Sequence, residues 1–154
     1  WGVSSDDAHK LKKWGEKENN PGRGWVMVNS EELSSDAITK AMLRGDFYSS
    51  SGVMLEELVR GTNSIELSVN EDETACELAS EFLFGRPVKK GEPGTTIEFI
   101  GPEGEVVKTV QGTTAKCEAK GPYLRAKVTH RVKKEDGSLC EYYAWSQPVF
   151  TDGR

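Results

Sequence analysis

The sequence predicts an α+β chain that is mainly β, with an α/β segment over residues 1–52 followed by an antiparallel β-sandwich over residues 53–154. Three observations carry that reading. From about Val53 onward apolar residues recur at every second position, the period of a strand with one dry face. Turn signals separate these runs, among them Gly101-Pro102-Glu103-Gly104 and Glu135-Asp136-Gly137-Ser138, where Asp-Gly favours a hairpin. Before Val53 the pattern differs: one short apolar run and one capped amphipathic helix.

Taken in order, Trp1-Gly2-Val3 reads as the end of a strand that delivers Ser4 to His9 into a loop. The polar stretch that follows ends in the turn chemistry of "KENNPGRG". "WVMV" (Trp25 to Val28) is a short buried strand. Ser34 or Ser35 then caps a helix, and Asp36 suits its first turn, where exposed N–H groups attract negative charge. Ala37, Ile38, Ala41 and Met42 form its apolar stripe, Arg44 suits its last turn, and Gly45 stops it. In "SIELSVN", Ile65, Leu67 and Val69 alternate with polar residues; in "YLRAKVTHRV", Leu124, Ala126, Val128, His130 and Val132 do the same. His130 therefore falls on the apolar phase, which predicts a half-buried, hydrogen-bonded imidazole. "CELASEFLF", "TTIEFI", "EVVKTV", "TAKCEA" and "CEYYAWSQPVF" supply further strands, enough for a sandwich.

Composition removes several classes of function. The net charge is -5 with acids and bases interspersed, which argues against the clustered Lys and Arg of a nucleic-acid footprint. No apolar run approaches the ~20 residues of a membrane span. Cys76, Cys117 and Cys140 are widely spaced and form no CxxC pair, so they read as reduced, partly buried thiols suited to a cytoplasmic setting. The chain opens on Trp1 rather than Met, and reads as the later part of something longer.

The residues that invite chemistry lie near the start. Asp6, Asp7 and His9 stand in the Ser-rich stretch "SSDDAH". Carboxylate and neutral imidazole are good ligands for zinc, iron or manganese. Residues two apart in an extended segment project to the same side, so Asp7 and His9 can reach one metal cluster. The plain alternative is an acidic turn in which Asp6 or Asp7 caps backbone N–H groups and His9 is exposed. Lys10 and Arg23 are candidate cations for an anionic substrate.

"SSDDAH", "GWVMV", "SSDAITKAMLRGDFYSSSG", "YLRAKV" and "AWSQPVF" occur in one order that resembles the C-terminal part of the PHP (polymerase and histidinol phosphatase) family. The resemblance is to metal-dependent phosphoesterase-like members with a trailing β-sandwich. It implies that residues 1–52 are the C-terminal portion of an α/β barrel and residues 53–154 an immunoglobulin-like sandwich. It also implies that Asp7 and His9 are the last ligands of a cluster of divalent ions (Zn, Mn or Fe). Arg23, Tyr48 and Ser50 would then lie near a small phosphorylated substrate. The family's His-x-His motif and its further His and Glu ligands have no counterpart here, because His9 and His130 are the only histidines. They are expected in the remainder of the barrel, upstream of Trp1. A competing reading is a non-catalytic sandwich attached to a degenerate barrel, packing against it or recognising a protein or glycan. Tyr142, Tyr143 and Trp145 would offer a stacking platform in that case, unless strand packing claims them.

Overall fold

The computed structural model describes residues 1–15 and 17–151, and its hydrogen bonding follows the alternation in the sequence. The elements are β1 (Trp25–Val28), α1 (Ser35–Arg44), β2 (Phe47–Ser50), β3 (Leu55–Arg60), β4 (Ser64–Val69), α2 (Glu71–Leu78), β5 (Arg86–Val88), β6 (Gly94–Ile100), β7 (Val106–Gln111), β8 (Thr114–Glu118), β9 (Tyr123–Lys133), β10 (Leu139–Ser146) and β11 (Val149–Phe150). The larger sheet runs β1-β2-β10-β9-β6-β7, with β5 also pairing β10 and β11 also pairing β9; the smaller runs β3-β4-β8. Every strand pair among the described residues is antiparallel. The chain is thus mainly β, as expected.

The two sheets meet through one apolar cluster. Ile65 and Leu67 of β4 and Ala115 of β8 face Ile97 and Phe99 of β6, Leu124, Ala126 and Val128 of β9, and Tyr142 and Ala144 of β10. Full burial of a side chain such as Phe99 contributes about 1.5–3 kcal/mol. The opposite face of β9 and β10 carries Arg125, Lys127, Glu141, Tyr143 and Trp145, all half-buried. Strands β1 and β2, from the segment assigned to residues 1–52, are hydrogen-bonded into the same sheet through β2 and β10.

Local chemistry explains the helix between them. The Ser34 hydroxyl accepts from the Ala37 N–H, and Gly45 ends α1 in the left-handed region at φ 76°. That glycine has a second use, since a Cβ there would stand 2.9 Å from the Trp1 ring. Trp1 rests on the glycine, and its indole N–H donates to the Leu43 carbonyl.

Several expectations change. The stretch "CELASEFLF" is not a strand. Residues Glu71–Leu78 are helical because Asn70 accepts from the Glu73 N–H and three acidic residues occupy the first turn. Thr74 is buried, accepting from the Met54 N–H, and pins that helix to the core. Strand β3, unread in the sequence, completes the small sheet. "CEYYAWSQPVF" divides into β10 and β11, because Pro148 has no N–H to donate to a ladder. Trp1-Gly2-Val3 is an extended arm rather than a strand end. Cys76 is exposed, whereas Cys140 is in the core.

His130 is half-buried, its Nδ1 2.8 Å from the Thr95 hydroxyl. Burial lowers its pKa from the ordinary 6.5, and the nearby Glu71 only partly offsets this. The fold therefore favours neutral imidazole. Its contribution is complete above pH 6.5 and is lost as the pH falls toward the depressed folded value. Urea midpoints should decline across that window, and His130→Gln should flatten the decline. Phe99→Ala should lower the unfolding free energy by about 3–5 kcal/mol, read from the same urea curves.

Candidate functional site

The segment bearing Asp7 and His9 has no regular secondary structure among its described residues, so its shape comes from polar side chains that bind its backbone. Asp6 is the main one. Its carboxylate accepts backbone N–H bonds from Gly22 (3.0 Å), Arg23 (2.6 Å) and Gly24 (2.6 Å). Partial burial alone would raise the Asp6 pKa. The three N–H donors and the Arg23 guanidinium outweigh it and hold the carboxyl below the ordinary 3.8. Asn20, fully buried, is the second organiser. Its amide donates to the carbonyls of Lys10 and Lys13, and its oxygen accepts from the Gly15 N–H. His9 and Lys10 also donate their backbone N–H groups to the Asn19 carbonyl.

The arm before the loop is tied to the larger sheet. The Gly2 N–H donates to Gln147 Oε1 at 2.7 Å, and Gln147 Nε2 returns a bond to the Gly2 carbonyl at 2.6 Å. The Ser49 hydroxyl donates to the same carbonyl at 3.1 Å. Gln147 is 1% exposed, so breaking this pair would strand a buried amide at a cost of about 1–3 kcal/mol.

Between these anchors Asp7 and His9 are both exposed. Asp7 has φ 48°, a left-handed conformation that Asp tolerates better than most residues. The turn brings the Asp7 carbonyl 2.8 Å from His9 Nδ1. A carbonyl only accepts, so Nδ1 carries the hydrogen, and in the neutral ring Nε2 is left with a bare lone pair. Capping therefore belongs to Asp6, while Asp7 and His9 remain free for other work. Among the described residues no group of three or more His, Cys, Asp or Glu side chains stands ready to hold a metal ion. Asp7 and His9 supply donors of the right kind, but fewer than the roughly three that a divalent site requires.

The other sequence-read residues separate. Arg23 stays with the loop: its Nη2 donates to the Gly15 carbonyl at 2.6 Å, and its guanidinium lies 4.8 Å from the Phe84 ring centroid. Tyr48 points into the core, where its hydroxyl accepts from the Leu55 N–H; burial raises its pKa. Ser50 is 2% exposed, donates to the Val53 carbonyl and accepts from the Gly52 N–H. Both hydroxyls are thus taken up by backbone partners. Lys10 is exposed on the loop.

Two clefts that sequence reasoning missed flank the arm and the loop. One, of about 360 Å³, lies along Gly2, Val3 and Ser4 and is floored by Ser49, Ser50 and Ser51, with Arg125 and Trp145 on its wall. The other, of about 570 Å³, is lined by Arg23, Phe84, Arg86 and Glu141. They share Ser51 and Tyr143. The only available signal was the phase of Arg125 and Trp145 on the outer sheet face, which by itself reads as solvent.

If Asp6 organises the loop, Asp6→Ala should lower stability by about 1–3 kcal/mol and speed amide exchange at Gly22, Arg23 and Gly24. In the parent chain those three amides should lose protection as the pH falls through the depressed Asp6 value, below 3.8, since only the carboxylate accepts all three bonds. No described helix is long and apolar enough to cross a membrane. Comparison with protein-family models, with curated proteins and with solved structures gives no match.

Proposed function

We propose that this chain is the C-terminal portion of a PHP-like, metal-dependent phosphoesterase, in which the sandwich acts as a rigid holder for two ligands, Asp7 and His9. In this reading residues 1–52 carry the last ligands of an α/β barrel, residues 53–154 form an immunoglobulin-like unit, and β1 and β2 join the two by pairing antiparallel into the larger sheet. The observation that carries it is the orientation of His9. Its Nδ1–H is committed to the Asp7 carbonyl, so Nε2 faces solvent with a lone pair able to ligate a metal. An incidental turn histidine has no need of such orientation, nor of anchors at Gly2, Asp6 and Asn20 on either side.

The reading requires further ligands from outside residues 1–154. A bound divalent ion would supply Lewis acidity toward a phosphoester oxygen and an activated water. The chain's own part is to fix two donors, and to place Arg23 where it can meet an anionic substrate. Ring-stacked on Phe84 and bonded to Gly15, Arg23 is pre-oriented at low entropic cost. Tyr48 and Ser50, their hydroxyls taken by Leu55, Val53 and Gly52, do not offer those groups to a substrate.

A second reading, a non-catalytic packing or binding module, draws on Tyr143 and Trp145 on the outer sheet face. The two readings separate in the longer protein that the first requires. There, Asp7→Asn and His9→Gln should each reduce manganese-dependent hydrolysis of a generic aryl phosphate by at least about 100-fold, with the circular dichroism spectrum unchanged. Activity equal to the parent's in both variants would favour the module.

A further inference from the structure

Arg125 occupies an unusual position for a cation. It lies on the outer face of β9, half-buried, with its guanidinium 4.6 Å from the Trp145 ring centroid. Its Nε is buried and has no hydrogen-bond partner among the described residues. Other arginines of this fold have carboxylates: Arg131 has Glu141 at 2.6 Å, and Arg44 and Arg60 share Asp46 at 2.7 and 2.9 Å. Arg125 has no such partner among the described residues. Burial disfavours its charge, yet a guanidinium does not give up its proton in a protein. A half-buried cation with a buried, unpartnered N–H and no counter-charge costs free energy that an anion would offset.

The surroundings are shaped to receive one. Arg125 Nη2 reaches the cleft beside Gly2, 3.8 Å from where a Cβ on that glycine would stand. The floor is seryl, the wall is the indole of Trp145, and at Ser51 and Tyr143 the cleft adjoins the second one. There Arg23, Arg86 and Lys17 add positive charge. The one acid on this lining, Glu141, is already paired with Arg131 and with the Tyr143 hydroxyl. Four cations lining two adjoining clefts, Arg125 in the first and Lys17, Arg23 and Arg86 in the second, stand out in a chain of net charge -5. Cleft volumes of about 360 and 570 Å³ fall in the range of small-molecule sites rather than of protein footprints.

We propose that this groove binds a small-molecule oxyanion, a phosphoryl or carboxyl group on an aromatic or other flat body, with Arg125 as the anchor and Trp145 as the stacking wall. The planar guanidinium offers a two-pronged donor to such a group, and its stacking on the indole fixes the fork in place. The proposal goes beyond the metal reading and does not depend on Asp7 or His9.

The test titrates the 154-residue chain with phenyl phosphate and, separately, benzoate, in buffer containing EDTA, followed by amide NMR shifts and by tryptophan fluorescence. Saturable binding is expected at millimolar concentration or tighter, with shifts at Ser49, Ser51, Tyr143 and Trp145. The tighter of the two probes identifies the phosphoryl or the carboxyl group. Arg125→Met keeps the stem over the indole and should weaken binding at least tenfold without lowering the melting temperature. Arg125→Lys keeps the charge but loses the fork, and should fall between the two. Absence of saturable shifts with both probes overturns the proposal. So do shifts that persist unchanged in Arg125→Met, and so does binding of an oligo-glutamate peptide where both small probes fail. If Arg125→Met unfolds, equal affinity of Arg125→Lys and Trp145→Leu to the parent overturns it as well.

Discussion

Strand β10 is longer than either strand that lies along its side away from β9. Strand β5 pairs with residues 139–141 and β2 with residues 144–146, end to end along the same edge. Backbone polar groups left between them would face the arm and the clefts without ladder partners, and such groups are rarely left unpaired in folded proteins. Ser51 fills the interval. Its N–H donates to the Tyr143 carbonyl at 2.9 Å, and its hydroxyl accepts from the Tyr143 N–H at 3.0 Å. One side chain and one amide thus do the work of a paired strand residue. They let the sheet divide without a broken hydrogen-bond ladder.

Much else depends on that division. The clefts adjoin at Ser51 and Tyr143, so the groove follows the interval in the sheet. The arm crosses the β2 side of it, held at Gly2, and delivers the loop organised by Asp6 and Asn20. Above the strands, aromatic and cationic side chains alternate: Arg125 over Trp145, and Lys127 5.5 Å from both Tyr143 and Trp145. Cation–π contacts of this kind contribute about 0.5–2 kcal/mol each and keep long side chains from collapsing into the groove.

The legible parts of the sequence were those set by neighbours in the chain. Alternation in β4 and in β9 as far as Val128, the caps of α1, and the half-burial of His130 all depend on residues a few positions apart, and each appears as read; beyond Val128 the β9 pattern breaks, with Thr129 buried. Helix α2 was obscured because its apolar tail resembles a strand, while the signal that decides it is a single Asn70 cap. The site was harder to read. Asp6 was one of two possible caps, and nothing local says that its partners lie 16 to 18 residues later. Ser50 and Tyr48 looked available because their acceptors and donors, Val53 and Leu55, depend on how the chain turns after Gly52. The phase of Arg125 along its strand points to solvent, and the arm that approaches it lies more than a hundred residues earlier.

The pair of hydrogen bonds between Gly2 and the Gln147 side chain has a consequence for length rather than for affinity. A side-chain amide that accepts from the N–H and donates to the carbonyl of one residue imitates a neighbouring strand, and so fixes which residue of the arm sits there. Asp6 fixes a second point by taking three N–H groups from residues 22 to 24. The chain between these points is a ruler of set span. Side chains at Val3, Ser4 and Ser5 can vary with little effect on it, but a residue gained or lost there cannot be absorbed unless one anchor lets go. Spacing, more than identity, is what that short stretch conserves for the residues that follow.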